Sequence, residues 1–211
     1  VPGNVAGWLT IQETLGVLDR EEVFEDSINH AKNGFPVTHF HHTSFTNSIP
    51  RLTQFPSGEI ILNNGKPPNP GTKIVMPELA KSLELVAKNG ADEFYRGSIA
   101  KKIVASMELY GGLISEEDLD SVKAEWMEPL TIKYRDYEVN TVPPNSSGFQ
   151  ILETLKILET LSPEKIKFQD PDFIHYFMET TKLAATDRIT HGGDQSIKLT
   201  PTEKLLSNSY A

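Results

Sequence analysis

The sequence predicts an α+β fold, rich in helix, with its paired strands gathered into a β-hairpin around 129–142. Three observations carry this. Apolar residues recur every three or four positions in several segments that end at Asn-Gly or Gly-Gly. One segment, Pro129 to Val142, alternates instead. No internal repeat or low-complexity tract interrupts the pattern, and 211 residues lie near the upper edge of one ordinary domain. The chain is therefore read as a single region, 1–211.

Asp19 caps the first expected helix, about 19–32, which turns Val23, Phe24 and Ile28 inward and stops at Asn33-Gly34 before Pro36. Gly58 to Leu62, followed by Asn63-Asn64-Gly65, resembles half a hairpin with a tight turn. Pro67-Pro68-Asn69-Pro70-Gly71 lacks the donors for a ladder and is a surface linker or rigid connector. A helix at 78–89 follows from Leu79, Leu83, Val86 and Ala87, and Asn89-Gly90 ends it. Ser98 caps the next, 98–109, on which Ile99, Ile103 and Met107 are spaced four apart before Gly111-Gly112. Ser115-Glu116-Glu117-Asp118 reads as another helix start.

In the hairpin, Leu130, Ile132 and Tyr134 alternate, Arg135-Asp136 makes the turn, and Tyr137, Val139 and Thr141 alternate after it. Beyond Pro143-Pro144 helices return. One spans 148–160, with Ile151, Leu155 and Leu158 on one face, one spans 171–187, and a last one runs from Pro201 to Ala211.

Composition narrows the function classes. With 38% hydrophobic and 23% charged residues the chain is globular. Its longest apolar run falls far short of the roughly 20 residues that span a bilayer. A net charge of −9 without a local Lys/Arg cluster argues against nucleic acid as a partner. Zero cysteines exclude disulfides and thiol chemistry, and leave the compartment open. The opening run Val1-Pro2-Gly3-Asn4-Val5-Ala6-Gly7 and the stop at Tyr210-Ala211 both read as the interior of a longer polypeptide, so a fragment is expected.

Four places invite a chemical reading. His39, His41 and His42 form the densest ring cluster, but a metal site needs three or four ligands, and an ordinary helix or loop bearing His is the favoured reading. Asn145-Ser146-Ser147-Gly148 is the best candidate for a nucleophile turn. It lacks the Gly two residues before the Ser, and a helix start capped by Ser146 or Ser147 accounts for it. His191-Gly192-Gly193-Asp194 has a loose likeness to an oxyanion loop and is read as a flexible loop. Thr180-Thr181 falls inside an expected helix, where both hydroxyls bond back to the preceding turn or face solvent. Glu116, Glu117 and Asp118 make an acidic first turn that the helix dipole favours without catalysis. No catalytic constellation emerges from spacing alone.

As a string of motifs, the chain resembles the γ-glutamyltransferase family. Val1-Pro2-Gly3 through Gly7 is similar to its "PGTVAG" segment and Gly34-Phe35-Pro36-Val37 to its "GF-V" turn. Leu79 to Leu83 with Asp92 to Gly97 resembles its "LA-SLE…DEFY-G" block. Gly111 to Ile114 with Asp118-Leu119 resembles "GGL-T-EDL", and Tyr134 to Val139 with Pro143 to Gly148 resembles "YRGYEV…PPPSSGG". Asp187-Arg188, and Leu205 to Ser207 with Tyr210-Ala211, fit its later "ADR" and "L----YA" segments. Four departures point to a divergent member. Asn145 replaces a usual Pro and Phe149 the second Gly. Ala185-Thr186 stands where an aromatic-Ala pair is usual, and no "PDF" follows Gly193-Asp194.

The resemblance implies a helix-rich portion of the large subunit of an N-terminal-nucleophile hydrolase, whose fold is αββα. The precursor of such an enzyme cuts itself before a Thr. The freed Thr attacks the γ-glutamyl amide with its own amine as base, and the acyl group passes to water or an amine. The implied partners are the remainder of the same polypeptide, including the small subunit, and a γ-glutamyl substrate such as glutathione. The nucleophile and the carboxylate-binding Arg are expected outside 1–211, so the chain is expected to hold no catalytic, cofactor-binding or metal residue and to be inactive alone. A related acylase acting on cephalosporin side chains or poly-γ-glutamate is the neighbouring alternative. A non-catalytic helical structural or interaction module is the alternative of another class.

Overall fold

The computed structural model describes residues 2–162 and 170–211. The chain divides into two compact units, 1–125 and 126–211.

The first unit begins with α1 (Asn4–Leu15) and α2 (Arg20–Asn33). Gly34, at φ +82°, lets the chain leave α2 for the short strand β1 (Phe35–Pro36), which pairs antiparallel with β2 (Lys73–Ile74). Between them lie α3 (His39–Leu52) and a 3-10 turn (Pro56–Ile60). Next come α4 (Pro77–Asn89), α5 (Ala91–Tyr95), α6 (Ser98–Tyr110) and α7 (Glu116–Asp120).

Two linked clusters form its core. Leu9, Val86 and Ile99 are buried among Phe24, Leu85, Phe94 and Ile103. Ala6, Tyr95, Ala100 and Leu119 are buried beside them. The Tyr95 hydroxyl donates to the Pro2 carbonyl at 2.7 Å and accepts from the Ala6 N–H at 3.1 Å, tying the start of α1 to α5. Arg20 caps the end of α4, donating from Nε to the Ala87 carbonyl and from Nη2 to that of Lys88. Orphan carbonyls at a helix end are thus met by a guanidinium from a helix distant in sequence.

The second unit opens with the hairpin β3 (Leu130–Tyr134) and β4 (Tyr137–Thr141), paired in register from Leu130↔Thr141 to Tyr134↔Tyr137. Arg135, at φ +53°, makes the turn. Ile132 is the buried centre of β3. α8 (Gly148–Glu159) packs on this hairpin and on α9 (Pro171–His191), and α10 (Thr202–Leu205) follows. Gly148 is required where α8 meets β4, because a Cβ there would lie 2.5 Å from both Thr141 Oγ1 and the Val142 carbonyl oxygen.

Several expectations need correction. Residues 58–60 are not extended: Pro56 opens a 3-10 turn, and Gly58 packs so tightly on the Leu52 carbonyl that no side chain fits. The Asn64-Gly65 turn does form, bridged by Asn63 and Lys66. The proline-rich loop is a connector, bonded through Gly71 N–H to the Val37 carbonyl. Gly97, not Ser98, is the N-cap of α6, and Ser98 donates from its N–H and Oγ to Glu93. The helix after Pro201 ends at Leu205, because Ser207 Oγ bonds the Lys204 carbonyl and the Tyr210 N–H, curling the chain. Two helices, α1 and α5, stand where none was expected, and α3 forms where the residues left helix and loop open. α3 carries Pro50 and is started by a capping box in which His41 stands in for the usual Glu or Gln. The inward face of α8 is Phe149, Leu152 and Leu158, while Ile151 faces solvent. Val23 and Leu79 also lie exposed.

Candidate functional site

The three histidines of α3 sit together in sequence and serve different neighbours. His41 accepts the Thr38 N–H on Nδ1 at 3.3 Å and stacks on Phe45. His42 donates from Nδ1 to the Pro68 carbonyl at 2.9 Å, pinning the proline-rich loop. His39 is exposed and contributes its carbonyl to Thr43. Among the described residues, no three His, Asp or Glu side chains converge on a point where an ion would sit.

The turn at Asn145-Ser146-Ser147 is the N-terminus of α8, as its helix-start reading required. Ser147 is the N-cap residue, although its side chain makes no capping bond. Ser146 N–H donates to the Pro143 carbonyl, and both serine hydroxyls lie exposed. Beside the turn, Met127, Leu130, Pro143, Pro144, Leu199 and Pro201 line an open cleft of about 570 Å³.

The glycines after α9 do not aim donors at a shared point. Gly192 N–H closes the helix on the Arg188 carbonyl, and Asp194 accepts the Ser196 N–H and hydroxyl, bonds that hold its carboxyl below the usual range. Gln195 then clasps Thr200 in both directions. The segment is an internally bonded turn. Thr180 bonds back to the carbonyls of Tyr176 and Phe177, and Thr181 to that of Phe177, as expected of mid-helix threonines.

What the residue pattern did not announce is a buried acidic group. Glu153, in the middle of α8, is 1% exposed, and neither carboxyl oxygen has a hydrogen-bond partner among the described residues. Burial, and then the neighbouring carboxyl of Asp187, push the Glu153 carboxyl up to about 8. Asp187 on α9 accepts the Tyr210 hydroxyl on Oδ2 at 2.9 Å, and His191 Nε2 lies 3.9 Å from Oδ1. The Tyr210 hydroxyl is raised in turn, chiefly by its bond to Asp187. Spacing carried a signal for this group: Phe149, Leu152 and Glu153 fall at i, i+3 and i+4, on one helical stripe.

With this geometry in place, the kinship of the chain is informative. The family model described as Gamma-glutamyltranspeptidase matches residues 1–211. The glutathione hydrolase-like YwrD proenzyme of Bacillus subtilis (strain 168) is 34% identical over 212 residues, covering all of this chain and 40% of that protein. The γ-glutamyltranspeptidase of Helicobacter pylori superposes with a TM-score of 0.92 at 27% identity, over all of this chain and 61% of that one. A cephalosporin acylase from Bacillus halodurans superposes at 0.91 with 29% identity, over 40% of its length. This chain therefore spans about 40% of the length of the proenzyme it matches. Its fold is that of a helix-rich α+β portion of an N-terminal-nucleophile hydrolase. By a match that runs from its first residue to its last, the chain belongs to the gamma-glutamyltranspeptidase family.

Proposed function

We propose that this chain is part of the large subunit of an enzyme that transfers or hydrolyses γ-glutamyl groups of glutathione and related amides. The nucleophile is an N-terminal Thr outside 1–211, released by self-cleavage, and its own α-amine serves as base. The chain supplies scaffold and pocket wall, and its partners are the remainder of the polypeptide and the γ-glutamyl substrate. What carries this reading is the family match over 1–211. Exposed apolar stripes support it: Trp8, Ile11 and Leu15 lie three and four apart on α1, and Ile174, Phe177 and Met178 lie on one face of α9. Such stripes are what a portion of a larger assembly presents, and a self-sufficient helical module hides them. Among the described residues no helix is long and apolar enough to cross a membrane.

The test is release of a chromogenic amine from a γ-glutamyl anilide. The isolated chain is expected to release none, since deleting a covalent nucleophile costs on the order of 10⁶ in rate. A polypeptide extended by its flanking segments is expected to cleave itself and release the amine. Release by the isolated chain, abolished by Ser146→Ala or Ser147→Ala, overturns the reading and makes the turn before α8 an active site. The likeness to the Bacillus halodurans acylase favours a second reading, action on cephalosporin side chains. Comparing the extended polypeptide on the anilide and on a cephalosporin side-chain amide separates the two.

A further inference from the structure

In an asparagine followed by glycine, the next backbone nitrogen reaches the asparagine side chain most readily, because no Cβ shields that nitrogen. The chain holds three such pairs, Asn33-Gly34, Asn64-Gly65 and Asn89-Gly90. All three glycines sit at positive φ, so what separates the pairs is their bonding. Gly34 N–H donates to the His30 carbonyl at 3.0 Å and Gly90 N–H to that of Val86 at 2.8 Å, each closing a helix. Both glycines are also crowded. A Cβ on Gly34 would stand 2.9 Å from the Ile74 carbonyl oxygen, and one on Gly90 2.9 Å from the Arg20 guanidinium. Asn89 is held further by the bond from its Nδ2 to Glu93 at 3.2 Å. Gly65 differs in each respect. Its N–H has no partner among the described residues, and a Cβ there would meet nothing within 4 Å. The turn is held only by its flanks, where Asn63 and Lys66 exchange N–H···O bonds at 2.9 and 3.1 Å. Asn64, at φ +50°, is exposed.

We propose that Asn64 is a modification site, deamidated without an enzyme through the Gly65 nitrogen, and that helix-end bonding spares Asn33 and Asn89. This reaction is separate from any γ-glutamyl transfer. Solvent takes the Gly65 N–H proton, and the nitrogen attacks Asn64 Cγ. The N–Cγ bond forms as the Cγ–Nδ2 bond breaks, and Nδ2 takes a proton from water and leaves as ammonia. Water then opens the cyclic imide at one of its two carbonyls. The product is an aspartate at 64 or an isoaspartyl link, in which the backbone runs through Cβ and Cγ. Asn64 Nδ2 is engaged only with Asn63 Oδ1, at 3.2 Å, which leaves Cγ open to attack. At the helix ends the same attack must first break the bond that closes the helix. The isoaspartyl link lengthens the backbone inside a tight turn. The paired bonds of Asn63 and Lys66, next to buried Leu62, are then lost.

The test holds the whole 211-residue chain at pH 7.5 and 37 °C. Mass spectrometry of the three Asn-Gly peptides follows the mass gained when an amide becomes an acid, and the same chain in urea is the reference. In the folded chain Asn64 is expected to deamidate at least about tenfold faster than Asn33 or Asn89, because only those two wait on the opening of a helix end. In urea, where no helix end remains, the three rates are expected to converge. Asn64→Gln is expected to remove the gain from its peptide. The isoaspartyl form of the wild type is expected to exchange its Lys66 amide faster than the unmodified chain. Asn33 or Asn89 matching Asn64 in the folded chain, or an Asn64 that stays intact, overturns the proposal. So does the same spread of rates in urea, a gain that survives Asn64→Gln, or unchanged exchange at Lys66 in the isoaspartyl form.

Discussion

Tyr95 in the first unit and Glu153 in the second are both almost wholly removed from water, and the chain treats their oxygens in opposite ways. The Tyr95 hydroxyl donates to one backbone carbonyl and accepts from one backbone N–H. Each bond also closes a contact between residues about ninety positions apart, so the polar atom reports that the fold is complete. Neither oxygen of Glu153 has such a neighbour among the described residues. A neutral hydroxyl costs little once both its bonds are made, whereas a carboxyl without a donor is tolerable only while it keeps its proton. The first arrangement makes stability indifferent to pH at that site, and the second ties stability to it.

The largest expected effect tests whether the first unit owes its stability to packing. Leu9 is 1% exposed and sits between Val86 and Ile99. Leu9→Ala is expected to destabilise the chain by about 2–5 kcal/mol in urea unfolding at any pH from 5 to 8, since no titrating group is involved. A loss under 1 kcal/mol would mean that the cluster collapses around the gap, and the contrast with the second unit would weaken.

The next effect sharpens the contrast. Because the folded-state pKa of Glu153 is raised from an ordinary 4.5 to about 8, the folded form holds a proton that the unfolded form releases. Its favourable contribution is whole below about 4.5 and is lost progressively as pH rises toward about 8. Glu153→Gln cannot ionise. It is expected to be more stable than the wild type by a few kcal/mol at pH 8, on the order of 1.4 per unit of window, and to match it near pH 4. Parallel stability curves for the two proteins across that range would show that Glu153 ionises freely in the folded state.

Much of the framework was legible in the residue pattern because it is local. Asn33-Gly34 and Asn89-Gly90 end helices since those glycines adopt positive φ, and the alternation from Leu130 to Thr141 sets which hairpin side chains face inward. Ordered motifs spread along the chain likewise carried the family. Residue type misled where packing overrides it. In Ile151-Leu152-Glu153-Thr154-Leu155, Ile151 reads as core and Glu153 as surface, and the structure reverses both because α8 is seated by Phe149, Leu152 and Leu158. α3 stayed open between helix and loop because its first turn is closed by a histidine and its last contains a proline. The burial of Glu153 comes with the packing of α8 on α9, and no local pattern reports packing of that range.

The smallest effect is the most discriminating for Tyr95. Tyr95→Phe keeps the ring that packs edge-on to Phe94, with centroids 4.9 Å apart, and removes only the hydroxyl. Two bonds are lost, and the consequences differ at their two ends. The Pro2 residue is exposed, so water replaces the hydroxyl at its carbonyl with little penalty. Ala6 is buried, and its N–H, in the first turn of α1, has no carbonyl one turn back within the helix to take over. The cost is therefore expected to be about 1–2 kcal/mol, dominated by the stranded N–H. It should be independent of pH between 5 and 8, and accompanied by faster hydrogen exchange at Ala6 while the amides of α4 keep their protection. If the loss instead grew with pH as that of the Glu153 site does, or if Ala6 kept its protection, Tyr95 would not be the saturated counterpart of Glu153, and the two units would handle buried polarity alike.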